Sequence, residues 1–210
     1  MEDLLRFNFQ QKYLLFDAET EGLNLRYSRP WQLSWVETVG KKIVGKQDYL
    51  LRWDDLRVSE GAAKVTGFDR KEYIKNAVDP YFVFELLWKK MNDPSYLISG
   101  HNILNFDVYI INVLRQYLGF DVDYSFITRC LDTRALFLAI LKGVQKPEDE
   151  SLIEWQYKLL NSPQKGLRST LMAMLKHFDI KFDETKLHDS LYDIEMNTEA
   201  LFKILNQLDL

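Results

Sequence analysis

The sequence predicts an α/β domain, a mixed β-sheet with helices on both faces. Three observations predict it. The apolar run Tyr13-Leu14-Leu15-Phe16 reads as a buried strand. Two further runs, Trp31 to Val39 and Ile43 to Trp53, flank a turn at Gly40-Lys41-Lys42 and read as an antiparallel meander. From Asp79 onward, strand-like and helix-like segments alternate to the end of the chain.

Taken in order, the first strand runs from Tyr13 to Glu19. Ser59 is placed to cap a short helix that ends near Gly67. Asp79 and Pro80 supply a cap and a first-turn proline to a helix reaching Met91. Tyr96 to Gly100 is another strand, and it leads into a helix. On that helix Asp107, Ile111, Leu114 and Leu118 recur on one face. Cys130 lies in a strand-like run, and His177 sits at a helix end that suits the dipole. The charged stretch Lys146-Pro147-Glu148-Asp149-Glu150 reads as a solvated loop before an amphipathic helix, Leu152 to Leu160. The last helix carries a stripe of Leu191, Ile194, Thr198, Leu201, Leu205 and Leu208.

Composition narrows the function. The 210 residues, 47% of them hydrophobic, suit one domain spanning 1–210. With 27 basic and 31 acidic side chains the net charge is −4, which argues against a broad basic face for duplex nucleic acid. A single cysteine excludes an intrachain disulfide and a cysteine-based zinc site. No glycine-rich phosphate loop occurs. No run of eighteen apolar residues and no signal-peptide core appear, so the expectation is a soluble intracellular or cytoplasmic protein with no membrane partner. Aromatic content is 14%; core packing serves most of these rings, and several are free to stack on bases.

Four carboxylates and a histidine stand where folding alone does not ask for them. Asp17 and Glu19 end the first strand, two apart and on one face, where like charges repel unless a cation lies between them. The alternative is a strand running out into a polar turn. Asp107 lies on the apolar stripe of its helix, where an ionised side chain needs a partner; a first-turn acid favoured by the dipole is the plainer reading. Asn102 and Asn105 just upstream are placed to cap that helix or to hydrogen-bond a substrate. His188 precedes the last helix, and Asp193 borders its apolar stripe; a surface pair is the ordinary reading of such residues. Together the five fit a site in which two cations and a histidine base act on a phosphodiester.

In sequence the chain resembles the DnaQ-like DEDD exonucleases, in the subclass whose third motif is HxxxxD. DAETEGL resembles the first motif, GHNILNFDVYII the second and HDSLYDIEMNTEAL the third. PWQLSWV, LDTRAL and GLRSTLMAMLKHFDI resemble the family's flanking text, so the likeness runs from about Lys12 to Leu208. It departs in three places. Glu21 adds an acid after the first motif. The second motif has three residues between Asn102 and Phe106, as in family-B polymerase proofreading domains, whose third motif carries Tyr where His188 stands here; Tyr192 is the nearby tyrosine. Finally, roughly residues 143–166 form an insertion that contains the amphipathic helix.

The resemblance implies a ribonuclease-H-like sheet and hydrolysis from the 3′ end, releasing nucleoside 5′-monophosphates. It implies two Mg²⁺ or Mn²⁺ ions on Asp17, Glu19, Asp107 and Asp193, with Asp17 bridging. His188, ordinarily of pKa ~6.5, is the implied base. Thr20, Leu23, Asn102, Asn105, Phe106 and Tyr192 are the implied substrate contacts: Thr20 to the sugar, Leu23 as a wedge against the base, Tyr192 for stacking or packing. An inward-tucked turn residue is the alternative for Leu23. Single-stranded 3′ ends are the expected partner, DNA ahead of RNA, with a polymerase or another replication protein as a possible second one. An exoribonuclease acting on short RNA, and a binding module without catalysis, are the alternatives.

Overall fold

The computed structural model describes residues 8–162, 166–187 and 189–208. Its strands are β1 (Lys12–Thr20), β2 (Pro30–Val39), β3 (Lys42–Leu50), β4 (Tyr96–Gly100) and β5 (Cys130–Asp132). They form one sheet in the order β3-β2-β1-β4-β5. β2 runs antiparallel to both β1 and β3, whereas β1, β4 and β5 are parallel. The helices are α1 (Glu60–Thr66), α2 (Arg70–Asn76), α3 (Pro80–Met91), α4 (Asp107–Tyr117), α5 (Thr133–Lys142), α6 (Leu152–Leu160), α7 (Leu171–His177) and α8 (Ser190–Leu208). This is the mixed α/β sheet that the alternation predicts.

Strand alternation sorts the helices onto two faces. Tyr13, Leu15, Asp17 and Glu19 share one face of β1. There Phe202 of α8 meets Tyr13 edge-on at 5.8 Å, and Glu195 of α8 pairs with Lys46 of β3 at 2.6 Å. On the other face Lys90 of α3 pairs with Glu37 at 2.9 Å, and Phe82 of α3 meets Tyr49 edge-on at 6.1 Å. Tyr13, Leu14, Leu15 and Phe16 are buried from both sides, which is why this strand reads as a continuous apolar run.

Several boundaries follow the punctuation in the sequence. Ser59 caps α1 and Gly67 ends it in the left-handed region; Asp79 and Pro80 open α3, which stops at Met91. Others differ. β3 ends at Leu50 rather than Trp53, because Leu51 bridges to Val78 and the Trp53 N–H donates to the Tyr73 hydroxyl at 2.7 Å. α2 was not anticipated, although Asp69 caps it by accepting from the N–H groups of Lys71 and Glu72. Its sequence, RKEYIKN, is too short for a helical period to show.

The β2–β3 connection turns on Gly40, whose φ is +52°. A Cβ there would lie 2.5 Å from the Phe9 carbonyl oxygen. Gly40→Ala is therefore expected to lower stability by about 1–3 kcal/mol, read as a lower urea midpoint with an unchanged slope. An unchanged midpoint would show that the turn relaxes freely.

Candidate active site

β1 ends beside the most polar part of the sheet. Asp17 and Glu19 lie on the α8 face, across β2 from Ser34 and Gln32. Both of those neutral side chains donate to Asp48 Oδ1 on β3, Ser34 Oγ at 2.6 Å and Gln32 Nε2 at 2.9 Å. β3 thus fixes the polar groups that flank the two acids.

Asp107 is the first residue of α4 and is buried; its Oδ1 accepts the Ala18 N–H at 3.1 Å. Burial, and next the charge of Asp17, push its carboxyl well above the ordinary range. Glu19 is pushed up to about 8, by burial first and then by Asp17, Asp193 and Asp189. The structure therefore brings Asp17, Glu19, Asp107 and Asp193 into one electrostatic cluster, drawn from β1, α4 and α8. Asp107 is more than a first-turn acid, since its carboxylate reaches across to β1.

Glu21 shows the opposite outcome. Burial opposes its charge, but hydrogen bonds from the Arg29 side chain and from the Arg57 and Arg29 N–H groups hold its carboxyl below the ordinary range. This extra acid ties the 21–29 loop to Arg57 and is taken up structurally.

The remaining predicted residues divide. The Thr20 hydroxyl donates to the Gly22 carbonyl at 2.5 Å, so it serves the turn. Leu23 is 88% exposed and points outward rather than tucking in. Asn102 and Asn105 do not cap α4: the cap position is Phe106, with no side-chain bond to the helix. Asn102 instead has a left-handed φ of 65°, and its Oδ1 accepts from the Arg134 guanidinium at 2.8 Å. Asn105 closes a 3-10 turn, Ile103–Asn105, and Phe106 packs half-buried against the core. The Tyr192 hydroxyl accepts the Asp183 N–H at 2.7 Å. His188 lies outside the described residues; its neighbour Asp189 accepts the Tyr192 N–H at 2.8 Å and faces Glu19 electrostatically.

Three further residues belong to the site. A cavity of about 670 Å³ has Asp17 and Asp193 on its wall together with His101, Arg134 and Arg168. Among the described residues Arg134 bonds neutral acceptors, Asn102 Oδ1 and the Ser169 hydroxyl. Among the described residues no carboxylate pairs with Arg134 or Arg168. Burial, and then the charge of Arg134, push His101 down to about 4, so it is neutral near pH 7. Arg134 follows the LDT strand end directly and His101 lies inside the second motif, GHNILNFDVYII, so the sequence marks both positions.

The donor set suits a hard cation. Burial, and then the neighbouring carboxylates, oppose ionisation of Glu19 and Asp107, and a divalent ion bound there would supply the missing positive charge. Among the described residues no group of three or more His, Cys, Asp or Glu side chains is placed to hold a metal ion by itself. Mg²⁺ is ordinarily held by one or two carboxylates plus water and substrate oxygens, so an open arrangement is what such an ion requires.

Residues 14–201 match the model of the RNase T exonuclease family. Among solved structures the chain is similar to E. coli exonuclease I in complex with a dT13 oligonucleotide, with a TM-score of 0.72 and 18% identity over 93% of this chain and 41% of that one. It is similar to the zinc-bound exonuclease I–ssDNA complex from E. coli, at TM-score 0.72 and 19% identity over 95% of this chain and 42% of that one. A third similar structure is the ExoI/SSB-Ct complex, at TM-score 0.68 and 17% identity over 94% and 43%. The chain thus shares the ribonuclease-H-like fold of exonuclease I and spans about two fifths of that protein's length. No curated protein matches it in sequence.

The raised carboxyl of Glu19 sets a pH dependence. A group that binds its proton more tightly in the folded state than in the unfolded one lowers stability as pH rises from its unfolded pKa to its folded one. His101, lowered to about 4, opposes this below about pH 6.5, so metal-free protein should lose melting temperature from about pH 6.5 to about pH 8. Mn²⁺ should restore more of it near pH 8 than near pH 5, because protons compete with the ion. Thermal melts in EDTA and in Mn²⁺ test this, and a rising EDTA profile over that interval would contradict it.

Proposed function

Since the chain belongs to the RNase T exonuclease family, we propose that it removes nucleotides from single-stranded DNA 3′ ends, with Asp17, Glu19, Asp107 and Asp193 holding two Mg²⁺ or Mn²⁺ ions. The observation that carries this is the convergence of four acids from three elements, with Glu19 and Asp107 both pushed upward. When bound, a divalent pair supplies Lewis acidity and lowers the pKa of coordinated water.

The chain's own residues do the rest. His188, in the segment before α8, takes the proton of the attacking water. Tyr192 is the weaker candidate for that role, because its hydroxyl is bonded to Asp183 N–H. Arg134 and Arg168 face the cavity that Asp17 and Asp193 line, and their guanidinium groups suit phosphate oxygens of the strand. Leu23, outward-pointing just past β1, wedges against the terminal base. Among the described residues no helix is long and apolar enough to cross a membrane. A replication protein is a fitting partner, since one structural neighbour was captured as an ExoI/SSB-Ct complex.

The test is turnover of a 5′-labelled single-stranded DNA oligomer with Mg²⁺ or Mn²⁺, alongside an RNA oligomer of matched sequence. The expected result is a ladder shortening from the 3′ end, faster on DNA and absent in EDTA. Faster release from RNA would move the substrate to RNA. No cleavage of either would leave a binding module. Asp17→Ala should abolish turnover, because a bridging ligand serves both ions. His188→Ala should slow hydrolysis by about 10²–10⁴-fold while metal binding persists; wild-type rates in that variant would remove His188 from the mechanism.

A further inference from the structure

We infer that α6 is a brace for Asp107, with Gln156, Tyr157 and Asp132 as positioning residues that fix the backbone leading into α4. The consequence for metal binding rests on the reading of Asp107 as a ligand.

Gln156 carries the first observation. It is fully buried on a nine-residue helix, where a primary amide must find partners. It finds them on the outer edge of β5. Its Oε1 accepts the Asp132 N–H at 2.7 Å, and its Nε2 donates to the Cys130 carbonyl at 3.0 Å. One side chain thus supplies the donor and the acceptor that a neighbouring strand would have offered.

Asp132 carries the second. Its buried carboxylate accepts four backbone N–H bonds. Two, from Arg134 at 2.9 Å and Ala135 at 3.1 Å, cap α5. The other two come from Asn102 at 3.1 Å and Leu104 at 3.0 Å, in the segment that enters α4. Tyr157, next to Gln156 on α6, donates its hydroxyl to the Leu104 carbonyl at 3.2 Å. Both backbone polar groups of Leu104 are therefore held, one by α6 directly and one through the residue that α6 clamps. Leu104 lies three residues before Asp107. Asn102 has a left-handed φ of 65°, which asparagine adopts more readily than most residues, and its N–H is one of those held by Asp132. A helix that only shielded the β5 edge would need the Gln156 bonds and would leave Leu104 alone.

Two variants of the full chain test the brace. Tyr157→Phe removes the hydroxyl and keeps the ring; Gln156→Met removes both bonds to β5, together with the Nε2 bond to the Leu152 carbonyl at 3.3 Å, at similar volume. Two readouts are taken on protein verified as folded by circular dichroism. The first is the Mn²⁺ concentration giving half-maximal turnover, expected to rise about 10-fold with turnover at saturating Mn²⁺ within about twofold of wild type. The second is hydrogen exchange at the Ala18 amide, which donates to Asp107 Oδ1 and reports the placement of that carboxylate without metal or substrate; it should exchange faster in both variants. Unchanged metal dependence together with unchanged Ala18 exchange would overturn the brace. If wild-type protein cleaves nothing, the exonuclease reading fails separately, and Ala18 exchange alone decides: faster exchange in Tyr157→Phe sustains the brace, equal exchange refutes it. Should Gln156→Met not fold, Tyr157→Phe carries both readouts.

Discussion

The structure depends on holding like charges together against their repulsion. Burial first, and then the charge of Asp17, raises Glu19 and Asp107, and Asp193 and Asp189 add to the pressure on Glu19. Left to themselves such side chains would swing apart into water, so each must be anchored on an element that cannot yield. Asp17 and Glu19 stand on β1, which is hydrogen-bonded to β2 and β4 on its two sides. Asp107 opens a helix whose inner face is buried, and Asp193 belongs to the helix that crosses β1 and β2. The apolar packing beneath these elements is thus the physical origin of the strained charge above them.

Glu19 and Glu21 are two residues apart and have opposite fates. Both are partly withdrawn from water, yet Glu21 meets a guanidinium fork and two backbone N–H groups while Glu19 meets carboxylates. Burial alone therefore does not mark a functional acid. The sign of the neighbouring charge does, because a paired acid is satisfied within the fold and an acid among acids stays open to a cation.

The architecture was legible where punctuation was strong. Asp79-Pro80 and the Ser59 to Gly67 pair set helix limits that tertiary packing had no reason to move. The four acids were legible because a carboxylate at a strand end or on an apolar stripe has few uses in folding. What stayed hidden was long-range. The Asn102 side chain turns to Arg134, thirty-two residues away, instead of capping α4, whose cap position falls at Phe106. His101 falls inside the second motif, but its contacts with α5 and with the segment before α7 are long-range and no local pattern announces them. Gln156 reads as one polar residue of an amphipathic helix, and only the free edge of β5 gives it a task. α2 was missed because seven residues cannot display a period.

An acidic protein that acts on an anionic strand meets an electrostatic obstacle, and the site's charge layout contains its resolution. With a net charge of −4 and four acids at the end of β1, a phosphate has no reason to approach the bare site. Divalent ions on those acids would reverse the local sign. The cavity beside them would then present Arg134 and Arg168, which among the described residues pair with no carboxylate, Arg134 being bonded to Asn102 and Ser169. In this reading metal and strand each strengthen the binding of the other, which linkage requires to be reciprocal. On the proposed function, the repulsion that opposes the metal-free site would also make the strand's arrival conditional on the ions, so that substrate would gather only where the catalytic charge is already in place.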